Sequence, residues 1–182
     1  MKAMKTKMLI FVFLLGITDL FAQTLYVPGA IVKGKNTSYY CSFENKLLVK
    51  VNNINNVDTT TTMYYDDGTV VPFDVGSAVI ETKIEDLVRV FQEALTQEEI
   101  DILKSKITCS LQLDIVTDKQ GNTLEITFRL RNYDPVMTKF DPDRLYQLEQ
   151  NLKKVLKLNP SKADSSIKNM KYFLPISYKD LK

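Results

Sequence analysis

Two stretches of strict alternation dominate the pattern of apolar and polar positions along the chain. In the first, Ile107, Cys109, Leu111, Leu113 and Ile115 share one face, and Thr108, Ser110, Gln112 and Asp114 share the other. In the second, Leu124, Ile126, Phe128 and Leu130 oppose Thr123, Glu125, Thr127, Arg129 and Arg131. Asp118-Lys119-Gln120-Gly121-Asn122 lies between them as a turn. A period of two on both arms predicts an antiparallel pair with one dry face and one wet face. Met170, Tyr172, Leu174, Ile176 and Tyr178 alternate in a last strand. Pro175 removes a ladder donor there, so that strand should lie at a sheet edge or turn the position outward.

Nearer the N-terminus, Tyr39, Cys41 and Phe43 and then Leu47, Val49 and Val51 read as the arms of a hairpin about Glu44-Asn45-Lys46, with Lys50 facing the other way. Asn52 to Thr62 (NNINNVDTTTT) has only Ile54 and Val57 to bury and reads as a long loop or an exposed edge. Met63 to Phe73 is a second hairpin candidate about Asp67-Gly68.

Helical spacing appears in three places. Thr82 and Glu85 fit a capping box, followed by Ile84, Leu87, Val88, Phe91 and Leu95 on one face. Thr96 and Glu99 repeat the box at once, with Ile100 and Leu103 as the apolar positions, which implies a bend near Thr96. A third helix starts at Asp141-Pro142 and carries Leu145, Leu148, Leu152, Val155 and Leu156, with Lys153, Lys154 and Lys157 toward its negative end. One-sided strands and amphipathic helices need each other's apolar faces. The expected fold class is therefore α+β, an antiparallel sheet packed on helices 83–95 and 141–157. The expected domain plan is a signal peptide over 1–22, a β-rich N-terminal region with its hairpin over 23–80, and an α+β core over 81–182.

The leader changes the picture most. Lys2, Lys5 and Lys7 precede an uncharged apolar run, Met8 to Gly16, and Ala22 is a small residue at a cut site before Gln23. This is the layout of a secretory signal peptide, too short to span a bilayer, and it predicts an exported chain in the periplasm or outside the cell, with no membrane span after cleavage. The full chain has 24 Lys+Arg and 22 Asp+Glu, and losing Lys2, Lys5, Lys7 and Asp19 leaves the rest formally neutral. That argues against nucleic acid as a partner. The chain has no histidine, which removes Ser-His-Asp and Cys-His nucleophiles and the commonest transition-metal ligand. No cofactor or metal site is expected.

Cys41 and Cys109 are the only cysteines. They form a disulfide after export, or they remain two buried thiols; the spacing leaves both open. Asp66-Asp67-Gly68 reads as a hairpin turn and lacks the spaced oxygens of a calcium loop. Asp118 and Glu125 are the candidates for a carboxylate acid/base pair, with nothing in their spacing to single them out. Asn36-Thr37-Ser38 matches the N-glycosylation pattern. Arg129, Arg131 and the nearby Tyr133 form a candidate contact surface, because Arg and Tyr are enriched at binding hot spots.

From Ile107 to Tyr178 the order is strand, Asp/Gly turn, strand, helix, strand. The stretch LQLDIVTDKQGNTLEITF (111–128) and the ending FLPISY (173–178) resemble the hairpin and closing strand of TonB C-terminal-like domains. The whole chain, with its leader ending at Ala22-Gln23, also resembles small secreted Gram-negative envelope proteins of unknown function that carry such a core. The resemblance implies a non-enzymatic domain that binds partners by adding a strand at a sheet edge. It brings no catalytic residues, and it stops short of energy transduction, since the Pro-rich spacer and the His-bearing anchor are missing. The leading expectation is a non-catalytic envelope protein that contacts another protein. The alternatives are a glycan-binding module using Tyr39, Tyr40, Tyr64 or Tyr65, and a hydrolase working with carboxylates alone.

Overall fold

The computed structural model describes residues 24–73, 78–105 and 110–181. The expected signal peptide (1–22) and Cys109 lie outside the described residues. In chain order the elements are β1 (Ile31–Lys33), β2 (Ser38–Asn45), β3 (Leu48–Asn53), β4 (Ala78–Ile80), α1 (Ile84–Ala94), α2 (Gln97–Ser105), β5 (Ser110–Thr117), β6 (Thr123–Arg131), α3 (Pro142–Val155), β7 (Leu158–Pro160) and β8 (Met170–Ser177).

Six strands form one antiparallel sheet in the order β1-β2-β3-β6-β5-β8, and β4 pairs with β7 in a small second sheet. The fold is α+β, as the patterning predicts. The strands of the N-terminal β-rich region extend this sheet through the β3–β6 ladder, where Val51 pairs with Phe128 and Lys50 with Arg129. Pro175 falls in an edge strand, β8, where a missing amide costs least. Tyr64 and Val70 make the expected second hairpin, reduced to one bridge, with Gly68 at φ 83° in its turn.

Parity decides which side of the sheet is dry. Tyr39, Cys41, Val49, Val51, Leu111, Leu113, Phe128, Leu130, Leu174 and Ile176 turn to the helices and are buried in one hydrophobic core. Each large side chain buried there contributes roughly 1.5–3 kcal/mol before entropy is subtracted. From α1 come Leu87, Val90 and Phe91, and from α3 come Leu145, Leu148 and Leu152. The alternation breaks at the start of β6, where Leu124 is exposed and Glu125 is buried. A bulge at Val116/Thr117 shifts the register there, and a loop described below covers Glu125.

The two capping boxes fare differently. Thr96 and Glu99 cap reciprocally: the Glu99 amide donates to Thr96 Oγ1 at 3.3 Å and the Thr96 amide to Glu99 Oε2 at 2.8 Å. Thr82 makes no cap. Its hydroxyl donates to the Val155 carbonyl at 2.7 Å and accepts from the Lys157 amide at 2.7 Å, tying the α1 approach to the end of α3. The Asp141 cap and Pro142 start are present, with Asp141 accepting from the amides of Asp143 and Arg144.

Candidate functional site

The helices pack on one side of the sheet, and its other side carries the polar parity of every strand. Lys50 on β3 and Arg129 on β6 stand directly opposite each other, a like-charged pair that would repel if left alone. Asp114 on β5 lies between them electrostatically, 2.7 Å from Arg129 Nε and 3.4 Å from Lys50 Nζ. Glu44 on β2 reaches Arg129 Nη1 from the other flank. Arg129 also sits over the Phe173 ring of β8, 5.6 Å from its centroid. Two residues onward, Arg131 sits over the Tyr133 ring at 5.9 Å, with no ion-pair partner among the described residues. The structure thus brings the three predicted contact residues together, two on one strand face and Tyr133 just beyond its end. Tyr133 and Phe173 are both exposed.

A polar strap crosses one end of this open face. The amides of Val57 and Asp58 donate to Glu125 Oε1 at 2.9 and 3.2 Å, and the Thr59 amide donates to Oε2 at 2.9 Å. Asn56 Nδ2 donates to the Ile126 carbonyl at 2.8 Å, Thr59 Oγ1 to Asn52 Oδ1 at 3.2 Å, and Asn169 Nδ2 to Asp58 Oδ2 at 2.7 Å. Lys171 Nζ donates to the Thr61 carbonyl. Of the segment read as a loop or exposed edge (52–62), Asn52 and Asn53 complete β3, and these hydrogen bonds hold the rest, with Glu125 as its central acceptor. Between the strap and the sheet lies a cleft of about 390 Å³, lined by Thr59–Thr62, Lys50, Asp114, Arg129 and Lys171, together with Ile115 and Val116 of β5 and Tyr172 of β8.

The other candidates disperse. Asp118 accepts from the amides of Gln120 and Asn122 and from Asn122 Nδ2, so it builds the β5–β6 turn, and Glu125 holds the strap. They do not converge on a cleft. Tyr39, a glycan-stacking candidate, is a core residue: its hydroxyl donates to Glu149 Oε2 at 2.9 Å, and burial followed by the Glu149 charge pushes its pKa up. Tyr40 is on the open face, whereas Tyr64 and Tyr65 sit on the 63–70 turn, so the four tyrosines form no common platform. Asp66 pairs with Lys119 at 2.6 Å, and Asp67 accepts from the Thr69 amide and hydroxyl, which holds its carboxyl below the usual range. That is hairpin chemistry. Asn36 bonds Asp143 through its amide and side chain. Cys41 is free and buried, with its thiol pushed up to about 11 by burial, which makes it a poor nucleophile.

Sequence reasoning missed Glu149, which is fully buried on α3. Asn53 Nδ2 donates to its Oε2 at 2.9 Å alongside Tyr39, and Lys153 lies 2.6 Å from Oε1. The i,i+4 spacing of Glu149 and Lys153 was the available signal. Also missed was the role of Asp114, visible only as a polar position within an otherwise uncharged run.

The sheet's free edges are blunt. β1 has three residues. On β8 the Lys171 amide points out of the sheet to Met63 Sδ at 3.3 Å, and Pro175, at the same parity, has no amide to offer. A separate apolar groove of about 140 Å³ runs between α1 and β8, lined by Ile84, Phe91, Leu174 and Ile176 among others. Among the described residues no helix is long and apolar enough to cross a membrane, and no group of three or more His, Cys, Asp or Glu is placed to hold a metal ion.

Neither a protein-family model nor a curated protein matches the chain. A solved structure does: a DUF5043 family protein from Bacteroides uniformis ATCC 8492 superposes with a TM-score of 0.68 at 17% identity, over 85% of this chain and 88% of that one. The likeness at that identity is one of fold. It shows that the two proteins share their fold over most of both chains.

Proposed function

We propose that this is an exported, non-catalytic module that binds another protein through the open face of its sheet. The observation that carries the reading is the pairing of arginines with exposed aromatics on a face no helix covers: Arg131 over Tyr133 and Arg129 over Phe173. Arg and Tyr supply much of the energy at protein interfaces, and stacking pre-orders the guanidinium groups so that less entropy is lost on contact. The leader composition supports export to the periplasm or beyond.

The chemistry of the acids supports a non-enzymatic role. Asp114 is engaged by Arg129 and Lys50, Glu44 by Arg129, and Glu125 by three amides. A general acid or base needs a proton it can exchange with substrate, and carboxylates so tightly occupied are poor candidates. The face is a better contact than the TonB-like edge, because β8 offers few outward amides. The test is a crosslinking pull-down from envelope extracts of the parent cell, comparing mature chain with the Arg131→Ala/Tyr133→Ala variant. The expected result is a recurring partner that the double variant loses. Repeated recovery of nothing, or a partner retained by the variant, overturns the reading. Cell fractionation with N-terminal sequencing tests export, with Gln23 expected as the first residue of the exported chain.

A further inference from the structure

We infer that the folded chain cross-links itself, Lys153 on α3 joining Asn53 on β3 in a side-chain amide bond, with Glu149 as the acid and base that serves both. This lies on the covered side of the sheet and does not depend on the open-face reading. Parity makes Asn53 conspicuous. It ends β3 at the buried parity, after Val49 and Val51 of the core, where an apolar residue would cost less to bury. It stands opposite Tyr39 in the β2–β3 ladder, and both side chains run to one fully buried carboxylate. Asn53 Nδ2 and the Tyr39 hydroxyl each donate to Glu149 Oε2 at 2.9 Å. Lys153 Nζ lies 2.6 Å from Oε1, and its side chain is only 20% exposed. An amine and a carboxamide thus occupy the two oxygens of one carboxylate.

The carboxamide oxygen is held as well. Thr37 Oγ1 donates to Asn53 Oδ1 at 2.8 Å, and the Asn55 amide donates to it at 3.1 Å. Two donors on Oδ1 polarise the carbonyl and stabilise the charge it gains when Cγ is attacked. The steps follow from these contacts. A proton passes from the Lys153 ammonium to Glu149, a transfer that burial makes cheaper because the neutral pair needs less hydration. Nζ then swings from Oε1 to Asn53 Cγ and forms the new C–N bond, while the carbonyl electron pair moves to Oδ1. Glu149 returns its proton to Nδ2 and takes the next one from Nζ. The Cγ–Nδ2 bond breaks as the carbonyl re-forms, and ammonia leaves with the proton that Glu149 gives up. No atom changes oxidation state and no co-reactant enters. Fixing both groups on one carboxylate makes an otherwise slow aminolysis intramolecular. The product fastens the helix layer to the sheet in a chain whose described cysteine, Cys41, is free.

The test is mass spectrometry of the purified mature chain, intact and after digestion with trypsin. Expected are a chain lighter by one ammonia and a branched peptide in which 51–83 is joined to 145–154, with cleavage blocked at Lys153. Gln23 at the exported N-terminus can also lose ammonia by cyclising, so the branched peptide decides and not the intact mass alone. Lys153→Arg keeps a cation for Glu149 and lacks the nucleophile. Glu149→Gln keeps the shape and an acceptor for Tyr39 and Asn53 and lacks the acid and base. Near-UV circular dichroism checks that both variants fold. Both should lose the branched peptide completely, and in denaturing electrophoresis the wild-type chain should run ahead of either. Absence of the branched peptide from the wild-type chain overturns the inference, whatever the variants do. A branch at Lys154 or Lys157 in place of Lys153, or undiminished branching in Glu149→Gln, overturns it too.

Discussion

The two faces of the six-stranded sheet are built from alternate residues of the same strands, and they obey different rules. On the covered face, Phe128, Leu113 and Val51 form one register row and are fully buried against helices. What matters there is area and volume, and an acid such as Glu149 is admitted because Tyr39, Asn53 and Lys153 satisfy it. On the open face, Lys50 and Arg129 face each other across a ladder and are held in place by Asp114 and Glu44. What matters there is the balance of charge. A residue's contribution to stability or to recognition therefore depends on its parity more than on its position along the chain.

The sharpest way to break this comparison uses adjacent residues of β6. Phe128→Ala empties part of the core and should cost about 3–5 kcal/mol. Arg129→Met keeps an apolar stem and removes the guanidinium, with its ion pairs and its stacking over Phe173, at about 1–2 kcal/mol. Urea denaturation of the two variants measures both. Equal losses would mean that the faces are not energetically distinct.

Gly121 sharpens the comparison at the turn that joins the faces. Its φ is 80°, and a Cβ there would lie 1.6 Å from the Leu158 carbonyl oxygen. Gly121→Ala must therefore move β7 or distort the β5–β6 turn, and should cost about 2–3 kcal/mol. A thermal melt within 1–2 °C of wild type would show that β7 yields without consequence.

Much of the sheet was legible because period-two patterning states which face is buried, and little else is needed to order a hairpin. The strap was not legible. It buries almost nothing apolar, so its position follows from Glu125 meeting three amides, a contact between residues 66–68 positions apart that no local pattern announces. The same reason hid the cleft, since Lys50, Asp114, Arg129 and Lys171 come from four strands. Arg129, Arg131 and Tyr133 were legible because one strand and its exit loop carry all three. The capping boxes show the limit of a local motif: Thr96 caps its helix, whereas Thr82 has the same spacing and is drawn to the end of α3 by the Val155 carbonyl. β4 and β7 have three residues each, too short to show a period.

Glu99 gives a smaller, pH-dependent effect. Arg144 grips it with two bonds, at 2.9 and 2.6 Å, and this holds its carboxyl below the usual range. A depressed carboxyl stabilises the fold fully above the unfolded carboxylate range and loses that contribution as pH falls through its folded value. Glu99→Gln should cost roughly 1–2 kcal/mol near neutrality, and the difference from wild type should shrink as acid protonates the native carboxyl. Urea midpoints across an acid series measure this. A gap that stays constant to the lowest pH would remove Arg144 as its cause.

The smallest expected effect concerns Cys41, whose buried sulfur faces the helices. The ladder runs Cys41–Val51–Phe128–Leu113, so three strand spacings separate Cys41 from Leu113, about 14 Å. Ser110 lies three residues further along β5, which puts it roughly 17 Å from Cys41. Cys109 directly precedes Ser110 in the sequence, and one residue of chain reaches no more than about 3.8 Å, Cα to Cα. A disulfide tolerates a Cα separation of no more than about 7 Å. Two thiols should therefore titrate in denatured, unreduced protein, and a reductant should move the melting temperature by less than about 1 °C. A bridge closing so long a loop would instead stabilise by roughly 4 kcal/mol and melt visibly lower on reduction. That outcome would require a different strand order, with β2 beside β5, and with it the loss of the β3–β6 ladder that pairs Lys50 with Arg129.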